Sequence, residues 1–88
     1  MLEVGKCYYT SNFIVKILNN GTHHYVAKGF SIKNKRYHDY VLLSHNSKPY
    51  LLSNDVYDEI ENLINVNQSS CDISDEIIDK INQILFEF

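Results

Sequence analysis

The residues best suited to catalysis are His38 and Asp39, because a base beside an acid that orients it is a common hydrolytic arrangement. Both fall in a predicted strand, where adjacent side chains leave on opposite faces, so they form a dyad only if a bulge lies between them. The carboxylates of residues 55–79 fall on predicted exposed helix faces, where acids stay ionised. Three glycines, Gly5, Gly21 and Gly29, are too few for a phosphate-binding or dinucleotide-binding loop. We therefore expect no catalytic residues and no enzymatic activity.

Histidine and cysteine side chains are the candidates for holding a metal ion. They are His23, His24, His38, His45, Cys7 and Cys71. Structural zinc sites usually pair ligands two to four residues apart, and the two cysteines have no such spacing. His23 and His24 are neighbours on a predicted strand, so their side chains point apart. We expect no metal, no cofactor and no disulfide, because no secretion signal accompanies the cysteines.

A basic segment could contact nucleic acid. It comprises Lys28, Lys33, Lys35, Arg36 and Tyr37, and tyrosines at positions 8, 9, 25, 40 and 50 interleave with the cations along the predicted sheet. Stacking aromatics along a positive groove are typical of single-stranded nucleic-acid binding. The alternatives are that half of the tyrosines pack in the core and that the cations form an ordinary solvated turn. This segment indicates a possible nucleic-acid interface.

An acidic face on the predicted helices indicates a partner with a basic surface rather than nucleic acid. Its candidate interface residues are Asp58, Glu61, Asp72, Asp75, Glu76 and Asp79. Residues 1–54 carry seven Lys/Arg against two acids, a net of +5, whereas residues 55–88 carry one Lys against nine acids, a net of −8. Charge divided in this way steers encounter with a complementary surface. The alternative is an ordinary solvated helix face.

The elements that position these residues change character near Ser53. Before it, β-branched and aromatic residues alternate with polar ones and predict strands at 7–10, 13–18, 37–44 and 50–52. Asn20-Gly21 predicts a type I′ hairpin turn that pairs Leu18 with His23 and starts a further strand. In that register Phe13, Val15, Ile17 and Val26 share a core face, and Gly29 marks a bulge or bend.

After Ser53, apolar residues recur at helical spacing and predict helices over 55–67 and 74–87. The second helix carries one apolar stripe: Ile77, Ile78, Ile81, Ile84, Leu85 and Phe88. A stripe this wide must be covered by the sheet, by the first helix or by a second subunit. The sequence therefore predicts one α+β domain over residues 1–88. It consists of a small bent antiparallel sheet or SH3-like partial barrel of about five strands, followed by two C-terminal helices.

Composition limits the functional class. With 44% hydrophobic and 22% charged residues the chain is typical of a soluble globular protein, and no apolar run approaches the length of a membrane span. Asn, Ile, Lys and Tyr make up 34 of the 88 residues, which indicates an AT-rich genome. We expect a cytoplasmic, non-enzymatic protein, monomeric or homodimeric, that binds a protein partner and has no membrane contact. A phage or mobile-element inhibitor of host defence or nucleic-acid machinery fits this description, and the alternative function is nucleic-acid binding.

Overall fold

The computed structural model describes residues 2–67 and 73–86. Five strands precede two helices in the order β1 (Cys7–Tyr9), β2 (Phe13–Asn20), β3 (His24–Ser31), β4 (Arg36–Ser44), β5 (Tyr50–Leu52), α1 (Asn54–Asn67) and α2 (Asp75–Phe86). The predicted α+β class, with a five-stranded antiparallel sheet followed by two C-terminal helices, is confirmed. Three of the four helix ends differ from the predicted ends by one residue, and the end of α1 at residue 67 agrees with the prediction.

The sheet has the strand order β4-β3-β2-β1-β5, and every neighbouring pair is antiparallel. The first four strands form a meander, and β5 returns to pair with β1 on the far side. Because β4 and β5 lie at opposite edges, the sheet is open. Of the two predicted architectures, the open sheet is therefore correct and the partial barrel is not.

The predicted turn of the β2–β3 hairpin is wrong. β2 continues through Asn20, the loop comprises residues 21–23, and Asn20 pairs with Tyr25. A type I′ turn needs two residues with positive φ, and the described positive-φ residues are Lys35, Gly5 and Gly29. An irregularity between Ile17 and Asn19 shifts the register.

This shift also corrects the predicted core face. Ile17 pairs with Ala27 rather than with His24. Ala27 is buried beside Val15 and Ile17, and Phe13 packs against the same cluster. Val26 neighbours Ala27 in the strand, so its side chain lies on the other face, where it is half-buried. Val26 is therefore not a member of that core face.

The sheet buries apolar residues on both faces. The helix-side cluster lies under the two helices and comprises Cys7, Ile14, Phe30, Leu52, Tyr57, Ile60, Ile64, Ile73, Ile77, Ile81 and Leu85. The opposite-face cluster comprises Tyr8, Val15, Ile17, Tyr25, Ala27 and Leu43. Leu2 packs on the opposite-face cluster, and its backbone N–H donates to the Tyr25 hydroxyl over 3.1 Å. The N-terminal segment therefore covers part of the face that the helices leave uncovered.

Both helices begin at serine caps. The Ser53 hydroxyl accepts from the Asp55 N–H (3.2 Å), and the Ser74 hydroxyl accepts from the Ile77 N–H (3.4 Å). Within the predicted apolar stripe, Ile77, Ile81 and Leu85 are buried, while Ile78 and Ile84 pack against the cluster half-buried. The sheet and α1 thus cover the stripe; Phe88 lies outside the described residues. No helix in the described part of the chain is long and apolar enough to cross a membrane.

Candidate functional site

The two sheet edges differ in length and in protection. β5 is three residues long, and short edge strands offer little template for another strand. β4 is nine residues long and pairs with β3 alone among the described strands. Its outer side therefore presents a row of backbone N–H and C=O groups without a strand partner in the described sheet.

The first half of β4 carries features that discourage a further strand from pairing with its outer edge, and the second half does not. Arg36 and Asp39 place charges in the first half, and the β3–β4 register shifts opposite Ala27 and Gly29. Asp39 and Tyr40 both lie opposite Lys28, so a bulge is found next to Gly29, as predicted, but its extra residue belongs to β4. From Val41 to Ser44 the strand pairs regularly with β3 and contains neither charge nor proline. The segment 40–44 is the unprotected half of the edge, and we call it the open edge.

The open edge exposes apolar side chains. Tyr40 and Leu42 are 66% and 51% exposed, large fractions for residues of a sheet. Val41 and Leu43 point to the other face, where Leu43 belongs to the opposite-face cluster and Val41 packs against it. A strand laid along the open edge would therefore meet apolar neighbours on both of its faces.

A cleft of about 370 Å³ adjoins the open edge. Its lining residues are Asn12, Phe13, Val15, Phe30, Ser31, Lys33, Asn34, His38, Tyr40, Val41, Leu42 and Leu43. Phe13, Val15, Val41 and Leu43 supply apolar surface, whereas Lys33 supplies a positive charge and His38 a ring N–H that can donate a hydrogen bond. Its chemistry suits a ligand that has an apolar body and an anionic group.

The structure separates the five residues predicted to contact nucleic acid. Lys33 lines the cleft. Lys28 pairs with Lys16 on the helix-facing side of the sheet, because Lys16 pairs with Cys7 of the helix-side cluster. Lys35 leaves the turn between β3 and β4 and forms an ion pair with Asp75, with 2.5 Å between Nζ and the carboxylate oxygen. Arg36 is exposed at the start of β4. They do not form one continuous cationic stripe.

Tyr37 also belongs to the helix side. Its ring lies 5.1 Å from that of Phe30, measured between centroids. Burial raises its pKa, as do the charges of Glu61 and Asp39 and a hydrogen bond with the Asp39 side chain. Asp39 therefore turns toward Tyr37, while His38 lines the cleft on the other face. The two residues are not arranged as a catalytic dyad.

The predicted acidic residues occupy two places. Asp75 and Glu76 lie in the first turn of α2, where Asp75 pairs with Lys35 and Glu76 lies 3.8 Å from Lys80. Asp79 is exposed on the same helix, and Asp72 lies outside the described residues. Asp58 and Glu61 belong to α1, close enough to the sheet for their charges to raise the pKa of Cys7. Because two of the acids have cationic partners, the described acidic surface is weaker than the sequence predicts.

Two buried side chains, Cys7 and Tyr57, have raised pKa values and stay protonated at neutral pH. Burial raises the pKa of the Cys7 thiol from 9.0 to about 11, so the thiol stays protonated and unreactive at neutral pH. Burial also raises the pKa of Tyr57. Among the described residues, no three His, Cys, Asp or Glu side chains are grouped so that they could hold a metal ion.

Sequence reasoning did not identify Leu42 as a site residue, and it considered Tyr40 only as a stacking aromatic for nucleic acid. The run Tyr40 to Leu43 is apolar on both strand faces, which usually indicates a strand buried on both sides. Only the strand order shows that β4 is an edge, and that order depends on long-range pairing. Comparison of the chain with protein families, with curated proteins and with solved structures finds no match.

Proposed function

We propose that this chain is a small non-catalytic domain that binds a protein partner through the open edge of β4 and the adjoining cleft. The observation that carries the proposal is the open edge itself. Natural sheets usually protect long edges with charge, proline, a bulge or a covering element. Within the described residues, the outer side of 41–44 has no charge, proline, bulge or covering element, and the edge exposes Tyr40 and Leu42. An unprotected apolar edge is typical of a binding surface.

The charge around this edge supports a protein partner with acidic character. Lys33 and Lys48 flank the strand, and Asp39 is the single acid within it. Charge of this kind speeds encounter with an oppositely charged surface, so we expect association to slow as salt concentration rises. By occupying a partner's surface, the domain would act as an inhibitor, and we extend the proposal to a phage or mobile-element protein working in the cytoplasm of a bacterial host.

A pull-down with matched variants tests this proposal. The intact chain, immobilised, is exposed to lysate of a candidate host, alongside Leu42→Lys and Leu51→Lys. Leu51 is 68% exposed on β5, the other edge, so its variant adds the same charge to a similar surface. We expect one protein to be retained by the wild type and by Leu51→Lys and to be lost from Leu42→Lys. Equal retention by all three chains would contradict the placement at β4.

The same experiment examines the acidic face of the helices. In a further variant, Asp72, Asp75, Glu76 and Asp79 are together reversed to Lys. If this variant releases the partner while Leu42→Lys retains it, the interface lies on the helices and the open edge is not the site. Circular dichroism of each variant confirms that a lost partner does not reflect a lost fold.

A second candidate function is binding of single-stranded nucleic acid in the cleft. One observation favours it: Lys33 and His38 line the cleft together with the aromatic residue Phe13. Labelled oligonucleotides are titrated at low and at moderate salt against the wild type, Lys33→Gln and the control Lys6→Gln, since Lys6 does not line the cleft. This function predicts salt-sensitive binding that Lys33→Gln weakens and Lys6→Gln leaves nearly unchanged.

A further inference from the structure

We propose that the partner contributes an extended segment, alternating acidic and apolar residues, which adds to the sheet as a sixth strand along residues 40–44. This inference rests on the proposed protein-binding function and specifies its mode. Strand addition draws affinity from main-chain hydrogen bonds at an exposed sheet edge and specificity from the places that receive alternate side chains. The open edge supplies both the main-chain hydrogen-bonding groups and the neighbouring side chains that would receive the partner's residues.

The backbone of the open edge is prepared for such pairing. Val41 to Ser44 hold a regular antiparallel register against residues 24–27 of β3, so the strand is fixed in an extended conformation before a partner arrives. A partner strand would therefore order only its own chain. The opposite edge lacks this capacity, because β5 has three residues.

The side chains next to the open edge favour a partner segment in which acidic and apolar residues alternate. On one face, a partner's residues would lie beside Val41 and Leu43 at the cleft, whose lining also includes Lys33 and His38. Tyr40 and Leu42 border the cleft too, but they alternate with Val41 and Leu43, so on the other face a partner's residues would lie beside their exposed apolar side chains. Because successive strand residues point to opposite faces, acidic residues toward the cleft would alternate with apolar residues toward Tyr40 and Leu42.

Charge complementarity favours this occupant over a second copy of the chain. A second copy paired antiparallel through residues 40–44 would place the same segment, which contains no acid, along this edge. It would therefore bring no negative charge to Lys33 and His38 at the cleft. An acidic segment supplies that charge.

The test uses a defined probe, a labelled peptide that alternates Glu and Val and is blocked at both ends. Two further peptides carry N-methyl groups, one at every Glu and the other at every Val. In an added strand, alternate N–H groups face β4, so one methylation frame removes its hydrogen bonds and the other leaves them intact. We expect one frame to weaken binding about tenfold or more and the other to change it less than about threefold.

Chain variants and a charge control complete the test. Leu42→Lys should weaken binding of the unmethylated peptide about tenfold, whereas Leu51→Lys should have little effect. A peptide with Lys in place of Glu should bind much more weakly. In amide exchange followed by nuclear magnetic resonance, the peptide should slow alternate amides of residues 40–44, a pattern that side-chain contacts alone do not produce.

Several results would overturn the inference. Equal weakening by both methylation frames would mean recognition through side chains rather than strand addition. Equal binding of the Lys peptide, or no peptide binding at all, would remove the acidic strand as the occupant. A dimer in sedimentation that Leu42→Lys dissociates would make a second copy the occupant, and binding of single-stranded DNA but not of the peptide would favour nucleic acid. In each of these cases the pull-down with Leu42→Lys and Leu51→Lys tests the proposed protein-binding function separately.

Discussion

A β-carbon on Gly29 would overlap the carbonyl oxygen of Ile14 and would lie 2.7 Å from the Cα of Val15. Gly29 in β3 pairs with Val15 in β2, so the two backbones meet where β3 also loses its regular register with β4. Gly29 has a φ of 155°, a conformation that other residues rarely adopt. Close approach and backbone conformation both require glycine at this position.

Gly29→Ala is therefore expected to lower the free energy of unfolding by about 3 kcal/mol or more, since it combines overpacking with backbone strain. The matched control is Gly5→Ala. Gly5 has a φ of 85°, but a β-carbon added there would meet no atom within 4 Å, so only conformational strain applies, at about 1 kcal/mol. Urea unfolding of both variants measures the difference. Equal losses would show that the close approach to Ile14 has no energetic consequence.

The Tyr57 hydroxyl is buried and has no hydrogen-bond partner among the described residues. Leaving a buried polar group without a partner costs about 1–3 kcal/mol, so Tyr57→Phe is expected to maintain or raise the free energy of unfolding. Tyr8→Phe is the control, because the Tyr8 hydroxyl accepts from the Glu3 N–H over 3.0 Å. We expect that variant to lose about 1 kcal/mol. A loss for Tyr57→Phe as large as that for Tyr8→Phe would mean that the Tyr57 hydroxyl has a partner.

The stability of the fold should fall in mild alkali because of Cys7. In the unfolded chain the thiol ionises near its ordinary pKa of 9.0, whereas burial, the largest cause, raises the folded pKa to about 11. Above pH 9 the folded state therefore retains a proton that the unfolded state has lost. The resulting stabilisation is complete below pH 9 and is lost as pH rises toward 11, with about 1 kcal/mol lost by pH 10.

Urea unfolding of the wild type and of Cys7→Ala between pH 7 and 10 measures this effect. Cys7→Ala should lose less stability over that interval than the wild type, whatever its stability at pH 7. Parallel pH profiles would mean that Cys7 ionises at the same pH in both states.

The sequence was sufficient to predict the helices, because their residues carry local information. The spacing of Ile77, Ile81 and Leu85 matches the helical period, and Ser53 and Ser74 cap where the period begins. The strand positions could likewise be predicted, because β-branched and aromatic residues alternate with polar ones along the chain before Ser53. The β2–β3 register was not, because Asn20-Gly21 has the composition of a two-residue turn while the irregularity at Ile17 and Asn19 depends on tertiary packing.

The candidate site depends more strongly on long-range structure. Lys35 and Asp75 are forty residues apart in the sequence, so their ion pair, which changes both predicted surfaces, follows only from the fold. The exposure of Tyr40 and Leu42 likewise follows from the edge position of β4. Sequence predicted the charges correctly but not the partners that neutralise them.

Ile81 tests the packing of α2 against the rest of the domain. Its side chain is fully buried in the helix-side cluster, so Ile81→Ala removes apolar contacts and leaves a cavity. We expect a loss of about 2–5 kcal/mol in the free energy of unfolding, which is a large share of the stability of a small domain. Val66→Ala is the matched control: Val66 is 81% exposed on α1, and truncating it should change stability by no more than about 0.5 kcal/mol. Thermal melts and urea titrations of both variants give the comparison. If Ile81→Ala lost no more than Val66→Ala, then α2 would not be packed on the sheet in solution, and its apolar stripe would instead be available to a partner.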